Sequence, residues 1–487
     1  MANLKSLAKD SAIYGLSSIV GRFLNYLLVP LYTRVFAAEG GEYGIVTELY
    51  SYVALILVLL TFGMETTFFR FVGKADENPT RVYNTVLTLV GLVDLLFIVL
   101  VALFLQPICA QMGYEQHPSY IMVMAICVAV DAFLCMPFAY LRYEKKALKF
   151  ATIKLVNIGL NILLNILCFI ALPRWIDGFG IHVGYVFYVN LVCTLLTAVL
   201  LGKELIHFRP TLSPELVRRM WNYAWPILIL GLAGILNQTA DKIIFPHVIT
   251  GPEGKVQLGI YGACVKIAMI MAMITQAFRY AYEPFVFSRQ ADKDVRRDQA
   301  LATKYFLIFT LLAFLAVVAY MDILRYLISP TYWEGLRVVP IVMVAEILMG
   351  VYFNVAFWCK LTDRTLWNAI FAAVGCVVLI AVNVWGIPHY GYMASAWGGV
   401  AGYGTALLLS YFVGQHFYPM NYPLRSMGVY VLLAAFFFLL MRLLPSQWPM
   451  WVRLAANSVL LLAFLGHILY HDLPLGRHPK LRKFFAR

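Results

Sequence analysis

Apolar runs of about 20 residues recur from one end of the sequence to the other, and each is long enough to cross a bilayer. The chain has 487 residues, of which 62% are hydrophobic and 13% are charged, and its mean hydropathy is +0.78. A soluble domain carries about 25% charged residues, so the composition excludes a predominantly soluble protein. Because a lipid-exposed span must satisfy its own backbone hydrogen bonds, the sequence predicts an all-α polytopic membrane protein.

We identify about fourteen spans by length and hydropathy. They cover residues 11–36, 42–70, 82–106, 119–142, 150–172, 181–201, 221–247, 256–287, 301–328, 336–360, 365–387, 391–413, 427–444 and 450–470. Glycine and proline mark many of the connections, for example in "EGGEYG", "NPTR" and "ITGPEG". The first apolar run is long and contains Arg22, so it predicts a span and not a cleaved signal peptide.

Lysine and arginine are concentrated in every second connection and in the C-terminal tail. The positive-inside rule places these connections in the cytoplasm, and therefore both termini as well. This distribution accounts for the net charge of +13, so no nucleic-acid partner is expected. The eight cysteines lie in apolar segments without a CxxC pair, which indicates neither a disulfide framework nor a metal site.

An internal repeat divides the chain. The segment "EYGIVTELYSYVALILVLLTFGMETTFFRFVGK" aligns without gaps with "IYGACVKIAMIMAMITQAFRYAYEPFVFSRQAD". Tyr43 then falls on Tyr261, and Glu65 falls on Glu283. Six spans in each half give both halves the same orientation, as in parallel transporter repeats. We predict a six-helix lobe in residues 1–210, a second in 211–420, and two additional helices with a basic cytoplasmic tail in 421–487.

Arg22 lies in the middle of the first span, where a charge costs about 2.5–3.5 kcal/mol on insertion scales. At 100° per residue, Arg22 and Asn25 share one stripe of this helix, and such a polar stripe must face protein or water. The seventh span carries a similar stripe with Asp241, beside Lys242. The second and eighth spans add Glu48, Glu65, Lys266, Arg279 and Glu283.

These charges gather on the spans that the repeat relates. We interpret them as the lining of a water-filled central cavity between two six-helix lobes, with Arg22 and Lys266 supplying its positive charge. The alternative is that they form salt bridges between helices, such as Glu48 with Arg22 or Asp241 with Lys266. A buried pair of this kind contributes little net stability.

Two stretches carry a resemblance to a known family: "SAIYGLSSIVGRFLNYLLVPLYTRVF…EYGIVTELYSYVALILVLLTFGMETTFFRF" and "IPHYGYMASAWGGVAGYGTALLLSY". The sequence resembles the Wzx-type polysaccharide flippases of the multidrug/oligosaccharidyl-lipid/polysaccharide (MOP) exporter superfamily over nearly its whole length. The resemblance implies two six-helix lobes around a central cavity, alternating access and two additional C-terminal helices.

The resemblance also implies site residues. Related lipid flippases hold a lipid pyrophosphate with cationic residues on the first and eighth helices, which correspond by position to Arg22 and Lys266. The full set of candidate substrate-binding residues is Arg22, Asn25, Lys242, Lys266 and Arg279. The chain has no GxxxxGK[ST] motif, so an ion gradient or the membrane potential would drive transport. Candidates for coupling to H⁺ or Na⁺ are Glu48, Glu65, Asp241 and Glu283.

The resulting expectation is a flippase for undecaprenyl-pyrophosphate-linked oligosaccharide, such as an O-antigen or capsule repeat unit, in a bacterial inner membrane. We expect a monomer without cofactor or metal, in contact with membrane lipid, with a glycan polymerase as a possible partner. The closest alternatives are a flippase for a peptidoglycan lipid precursor and a cation-coupled drug exporter of the MATE type. A membrane enzyme would need a sizeable catalytic loop, and the connections here are short.

Overall fold

The computed structural model describes residues 24, 26–73, 77–206, 208–288, 294–362, 364–445 and 447–472, and these residues contain helices and no β-strand. The longer helices of the first part of the chain are α1 Leu28–Val35, α2 Glu42–Thr61, α3 Met64–Val72, α4 Pro79–Leu103, α5 Leu105–Met112, α6 Pro118–Tyr143, α7 Ala147–Ile166 and α8 Gly184–Leu200. Those of the remainder are α9 Pro214–Val248, α10 Pro252–Ser288, α11 Val295–Ala319, α12 Val339–Val355, α13 Thr365–Tyr390, α14 Tyr392–Phe417, α15 Leu424–Leu443 and α16 Met450–His471.

Within the described residues, eleven helical segments are long and apolar enough to cross a membrane. The sixth and twelfth predicted spans correspond to two further helices, the shorter α8 and the 26-residue α14. Most of the first predicted span lies outside the described residues. The prediction of an all-α, multi-pass membrane protein is therefore confirmed.

The second predicted span is interrupted between α2 and α3. Phe62 and Gly63 have φ angles of 32° and 72°, in the left-handed region that glycine tolerates best. A Cβ on Gly63 would lie 3.0 Å from the Ile227 side chain and 3.2 Å from the Ala224 carbonyl oxygen. The repeat-related α10 continues without a break, so the two related helices differ at this point.

The start of α4 follows the signal in "NPTR". The Asn78 side chain accepts hydrogen bonds from the amides of Thr80 and Arg81, and Pro79 occupies the first helical position. An asparagine cap followed by proline satisfies amides that would otherwise lack partners at a helix start. This local chemistry fixes where the third span begins.

The chain packs as two compact units, Met1–Ala263 with Cys376–Gly398, and Cys264–Gly375 with Gly399–Arg487. In the first unit, α2 packs against α6 and α9, and α8 packs against α6 and α7. In the second unit, α11 packs against α12, α15 and α16. The division into lobes at residues 210 and 420 stays a prediction.

Polar contacts fasten α16 at both of its ends: to α11 and α15 at one end, and to the segment that follows α11 at the other. Asp472, at the end of α16, accepts hydrogen bonds from Lys304 and from the Tyr430 hydroxyl. At the other end, Arg453 forms an ion pair of 2.7 Å with Asp322. The additional helices are thus an integral part of the second unit.

Candidate functional site

The structure distributes the predicted site residues over α2, α3, α9 and α10. Arg22 and Asn25 lie outside the described residues. Lys266 and Arg279 both lie on α10, and the side chain of Lys266 is partly buried. Thirteen residues separate them, which corresponds to about 20 Å along a helix. These two cations therefore cannot contact the same phosphate group while α10 remains a helix.

Glu48 is buried in α2, with 1% of its surface exposed. The Tyr114 hydroxyl donates a hydrogen bond of 2.6 Å to its Oε2 atom, whereas Oε1 has no hydrogen-bond partner among the described residues. The Lys255 ammonium lies 4.0 Å above the centre of the Tyr114 ring and donates to the Gly113 carbonyl at 3.3 Å. Glu48 is thus a nearly enclosed carboxyl group with one oxygen available for a proton or a cation.

The neighbourhood of Glu48 depends on close approach between α2 and the start of α10. A Cβ on Gly44 would lie 1.9 Å from the Lys255 carbonyl oxygen, and a Cβ on Gly262 would lie 2.4 Å from the Thr47 hydroxyl oxygen. Gly44 and Gly262 are equivalent positions of the repeat. Small residues let membrane helices approach closely. Both equivalent glycines therefore lie where α2 and α10 pack closely against each other.

Asp241 has its charge partner one residue away. Lys242 donates hydrogen bonds of 3.0 Å to both carboxylate oxygens, and the Tyr261 hydroxyl donates one of 2.7 Å. Asp241 is 7% exposed, so this polar group is held inside the protein. Lys242 therefore contacts a carboxylate within its own helix, and the Asp241–Lys266 salt bridge weighed from the sequence is not needed to compensate the Asp241 charge.

The remaining two acidic candidates form ion pairs at equivalent positions. Glu65 pairs with Arg142, and Glu283 accepts a hydrogen bond of 2.9 Å from Lys360. A spacing of 218 residues separates Glu65 from Glu283 and also Arg142 from Lys360. In each half, the same pair therefore connects the end of the second span to the end of the fourth.

Four residues in and around the candidate site were not predicted from the sequence. Tyr114, Arg142 and Lys360 contact predicted residues, and Lys255 contacts Tyr114, but none of the four was singled out as a site residue. A signal existed for Arg142 and Lys360, because extending the gapless alignment beyond the second span pairs these two residues. Within the described residues, no cluster of three or more histidine, cysteine, aspartate or glutamate side chains could hold a metal ion.

The chain is similar to known proteins in sequence and in fold. Residues 7–285, more than half of the chain, match the family "Polysaccharide biosynthesis protein". No curated protein sequence matches the chain. Among solved structures it is similar to "Lipid II flippase MurJ, inward closed conformation", with 15% identity, a TM-score of 0.73, and coverage of 96% of this chain and 99% of that one.

A second structural likeness is to an inward-facing multidrug resistance MATE transporter of the MOP superfamily. The identity is 16%, the TM-score is 0.65, and the match covers 84% of this chain and 95% of the transporter. At these identities, the likeness shows a shared fold. The chain therefore belongs to the polysaccharide biosynthesis protein family and has the fold of the MOP superfamily transporters.

Proposed function

We propose that the protein is a flippase that moves polyprenyl-pyrophosphate-linked oligosaccharide from the cytoplasmic to the periplasmic leaflet by alternating access. The observation that carries the proposal is the match of more than half of the chain to the polysaccharide biosynthesis protein family. The fold shared with a lipid II flippase and with a multidrug transporter agrees with transport rather than catalysis. An O-antigen or capsule repeat unit in a bacterial inner membrane is the specific substrate that we propose.

A pyrophosphate needs cationic partners while it crosses the membrane interior, because an unpaired charge is costly there. We assign this role to Arg22 and Lys266, with Asn25 beside Arg22 on the first span. Lys242 is the weaker candidate, since the Asp241 carboxylate already accepts hydrogen bonds from it. Arg279 is too far from Lys266 along α10 to share one phosphate with it.

Ion coupling requires a carboxyl group that can gain and lose a proton or a cation during the cycle. Among the four candidates, Glu48 is the strongest, because it is buried and one of its oxygens has no hydrogen-bond partner among the described residues. Glu65, Asp241 and Glu283 each have a cationic partner in the structure. We therefore propose Glu48 as the first site to test for coupling to H⁺ or Na⁺.

A flippase for a peptidoglycan lipid precursor is the second candidate function. It is favoured by the likeness to the lipid II flippase, whose TM-score of 0.73 exceeds the 0.65 of the multidrug transporter. Both candidate substrates are pyrophosphate lipids, so the same cationic residues would serve either one. In both cases we propose a monomer with cytoplasmic termini, and a glycan polymerase is a candidate partner only for the first.

The experiment is to deplete the protein from its host and to identify the lipid-linked saccharide that accumulates on the cytoplasmic leaflet. Accumulation of an oligosaccharide repeat unit with loss of surface polysaccharide would support the first function. Accumulation of a peptidoglycan precursor followed by lysis would establish the second.

Complementation then tests the assigned residues. We expect Arg22→Ala and Lys266→Ala to abolish surface polysaccharide while the protein remains in the membrane. The matched control is Lys203→Ala, which removes an exposed lysine from a predicted cytoplasmic connection. Normal polysaccharide from the double variant Arg22→Ala with Lys266→Ala would refute the assignment.

A further inference from the structure

A small pocket lies in the second unit, where α10 and α12 approach their C-terminal ends and α13 begins. Its volume is about 70 Å³, which is room for a few water molecules or for one small polyatomic ion. The residues that matter for its chemistry are Arg279, Tyr282, Glu283, Phe353, Asn354 and Lys360. The connection that follows Lys360 is basic and belongs to the side that the positive-inside rule assigns to the cytoplasm.

Two buried polar atoms of this pocket have no hydrogen-bond partner among the described residues. They are the Tyr282 hydroxyl and the Asn354 amide nitrogen. Tyr282 is 5% exposed and Asn354 is 3% exposed, so bulk water satisfies neither group well. Because burying a donor without an acceptor is unfavourable, both atoms indicate that an acceptor group occupies the pocket for part of the protein's working life.

The charges of the pocket favour an anion. Among the described residues that line the pocket, Glu283 is the one carboxylate, and this group accepts a short hydrogen bond of 2.9 Å from Lys360 and a long one of 3.5 Å from Arg279. The Arg279 guanidinium stacks on the Phe353 ring at 4.2 Å, which covers one face and leaves donors along its edge. Two cations against one carboxylate, together with two unsatisfied polar groups, form a site for an oxyanion.

The repeat supplies an internal comparison, because the ion pair of this pocket has a counterpart in the first half. The positions equivalent to Tyr282 and Asn354 are Met64 and Met136, which are 0% and 1% exposed. The position equivalent to Arg279 is Thr61. At these three positions, two methionines and a threonine in the first half are replaced by a tyrosine, an asparagine and an arginine in the second. An ion pair that only connects two helices does not require these additional hydrogen-bonding groups.

We propose that this pocket binds a phosphate group, with Arg279, Lys360, Asn354 and Tyr282 as hydrogen-bond donors to its oxygens. The phosphate comes either from a lipid headgroup in the cytoplasmic leaflet or from free phosphate in the cytoplasm. The site lies about 20 Å along α10 from Lys266, so it is separate from the cationic site proposed for the transported pyrophosphate. It goes beyond the proposed function, because phosphate binding here does not depend on which saccharide is carried.

The test uses the full-length protein purified in a maltoside detergent and a phosphate-free buffer, so that neither detergent nor buffer supplies the ligand. Isothermal titration with inorganic phosphate measures the affinity, and a thermal unfolding scan follows the stability of each variant. We expect Tyr282→Phe and Asn354→Leu each to weaken phosphate binding about 3- to 10-fold, as expected for one lost hydrogen bond. Arg279→Gln should weaken it more than about 10-fold, because a charge-assisted bond is lost.

The matched control is Arg142→Gln, which breaks the equivalent ion pair in the first half and should leave phosphate affinity unchanged. Tyr282→Phe removes only a hydroxyl that has no partner among the described residues, so this variant should fold normally. The test therefore remains decisive even if Arg279→Gln does not fold. The proposal is overturned if phosphate does not bind, or if the pocket variants bind phosphate as well as the wild type. It is also overturned if sodium chloride shifts the unfolding temperature as much as sodium phosphate does, since the effect then comes from the counter-ion.

Nanodiscs then distinguish the two sources of phosphate. Protein in nanodiscs of a phosphate-free galactolipid that contain phosphatidic acid is compared with protein in nanodiscs of the galactolipid alone. If phosphatidic acid competes with inorganic phosphate, and Tyr282→Phe weakens this competition, the ligand is a lipid headgroup. If inorganic phosphate binds equally in both nanodiscs, the pocket takes the free anion.

Discussion

Lys360 donates a hydrogen bond of 2.9 Å to Glu283, and Arg142 repeats this contact with Glu65 in the first half of the chain. The internal repeat therefore extends from sequence into packing, because both partners of the pair recur at the same spacing. Each pair connects two helices at the end of a span. The carboxylate of such a pair has a structural role. If it also took part in ion coupling, the ion pair would have to break during the transport cycle.

The first prediction concerns the strength of this pair. A double-mutant cycle of Glu283→Gln and Lys360→Gln should give a coupling energy of about 0.2–1 kcal/mol, because partly exposed pairs are screened by solvent. The side chains of Lys360 and Glu283 are 39% and 34% exposed. Chemical unfolding of the purified variants in detergent measures the coupling. A value above about 3 kcal/mol would mean that the pair is effectively buried.

The second prediction concerns the contact between α2 and α10. Gly44→Ala should destabilise the protein by about 1–3 kcal/mol, because the new methyl group would overlap the Lys255 carbonyl and force the helices apart. Gly234→Ala is the matched control, since no atom lies within 4 Å of the Cβ that it would add. That substitution should be neutral or stabilising by about 0.5–1 kcal/mol. Thermal unfolding scans compare the two, and equal effects would contradict the packing described here.

The third prediction concerns the hydrogen bond between Tyr114 and Glu48. Tyr114→Phe should cost about 1–3 kcal/mol, because it leaves both oxygens of a buried carboxyl group without a donor among the described residues. The double variant Tyr114→Phe with Glu48→Leu should recover most of this loss, since it removes the polar group as well. Denaturant unfolding of the purified protein measures both values.

Tyr52→Phe is the control for the third prediction. Tyr52 lies on the same helix, and its hydroxyl is 2.6 Å from His247 in a solvent-exposed contact. Water can replace that partner, so the loss should be smaller than for Tyr114→Phe. If the two single variants lose the same stability, the enclosure of Glu48 is not what makes its hydrogen bond important.

The sequence alone predicts the membrane-spanning helices well, because hydropathy over about 20 residues reports directly on the bilayer. It also reveals the repeat, and the structure shows related contacts in both halves: Gly44 packs on Lys255, Gly262 packs on Thr47, and both halves form the equivalent ion pair. The sequence does not predict the break at Gly63, because a glycine within an apolar run gives no indication of its φ angle. The left-handed φ angle at Gly63 and the close approach of α9 together explain why a glycine stands there.

Contacts between distant segments are the part of the candidate site that sequence reasoning could not supply. The Glu48 carboxyl group accepts a hydrogen bond from Tyr114, and Lys255 packs on the Tyr114 ring. Both partners lie outside α2, so no periodicity within α2 identifies them. A salt bridge between Asp241 and Lys266 was one alternative considered from the sequence, and in the structure Asp241 pairs with its neighbour Lys242 and accepts a hydrogen bond from Tyr261. The roles of Arg22 and Asn25 stay predictions, since both residues lie outside the described part of the chain.

The fourth prediction concerns Asp472, which joins α16 to α11 and α15. Burial acts to raise the pKa of this carboxyl group, but the hydrogen bonds from Lys304 and Tyr430 outweigh burial and hold its pKa below the usual value. Folding therefore favours the ionised form. The resulting stability is fully present above the unfolded pKa of about 3.9 and is lost as the pH falls through the lower folded value.

Asp472→Asn should lower the unfolding temperature at pH 7, because it leaves the nearly buried Lys304 ammonium, 11% exposed, without its counter-charge. The difference from the wild type should be constant between about pH 5 and pH 8 and should shrink below about pH 4, where the wild type loses the same charge. Thermal scans in detergent across this range measure the difference. The double variant Lys304→Met with Asp472→Leu should recover stability at pH 7, because a buried pair replaced by apolar side chains is often neutral. A difference that stays unchanged down to pH 3 would mean that the Asp472 charge does not hold the additional helices in place.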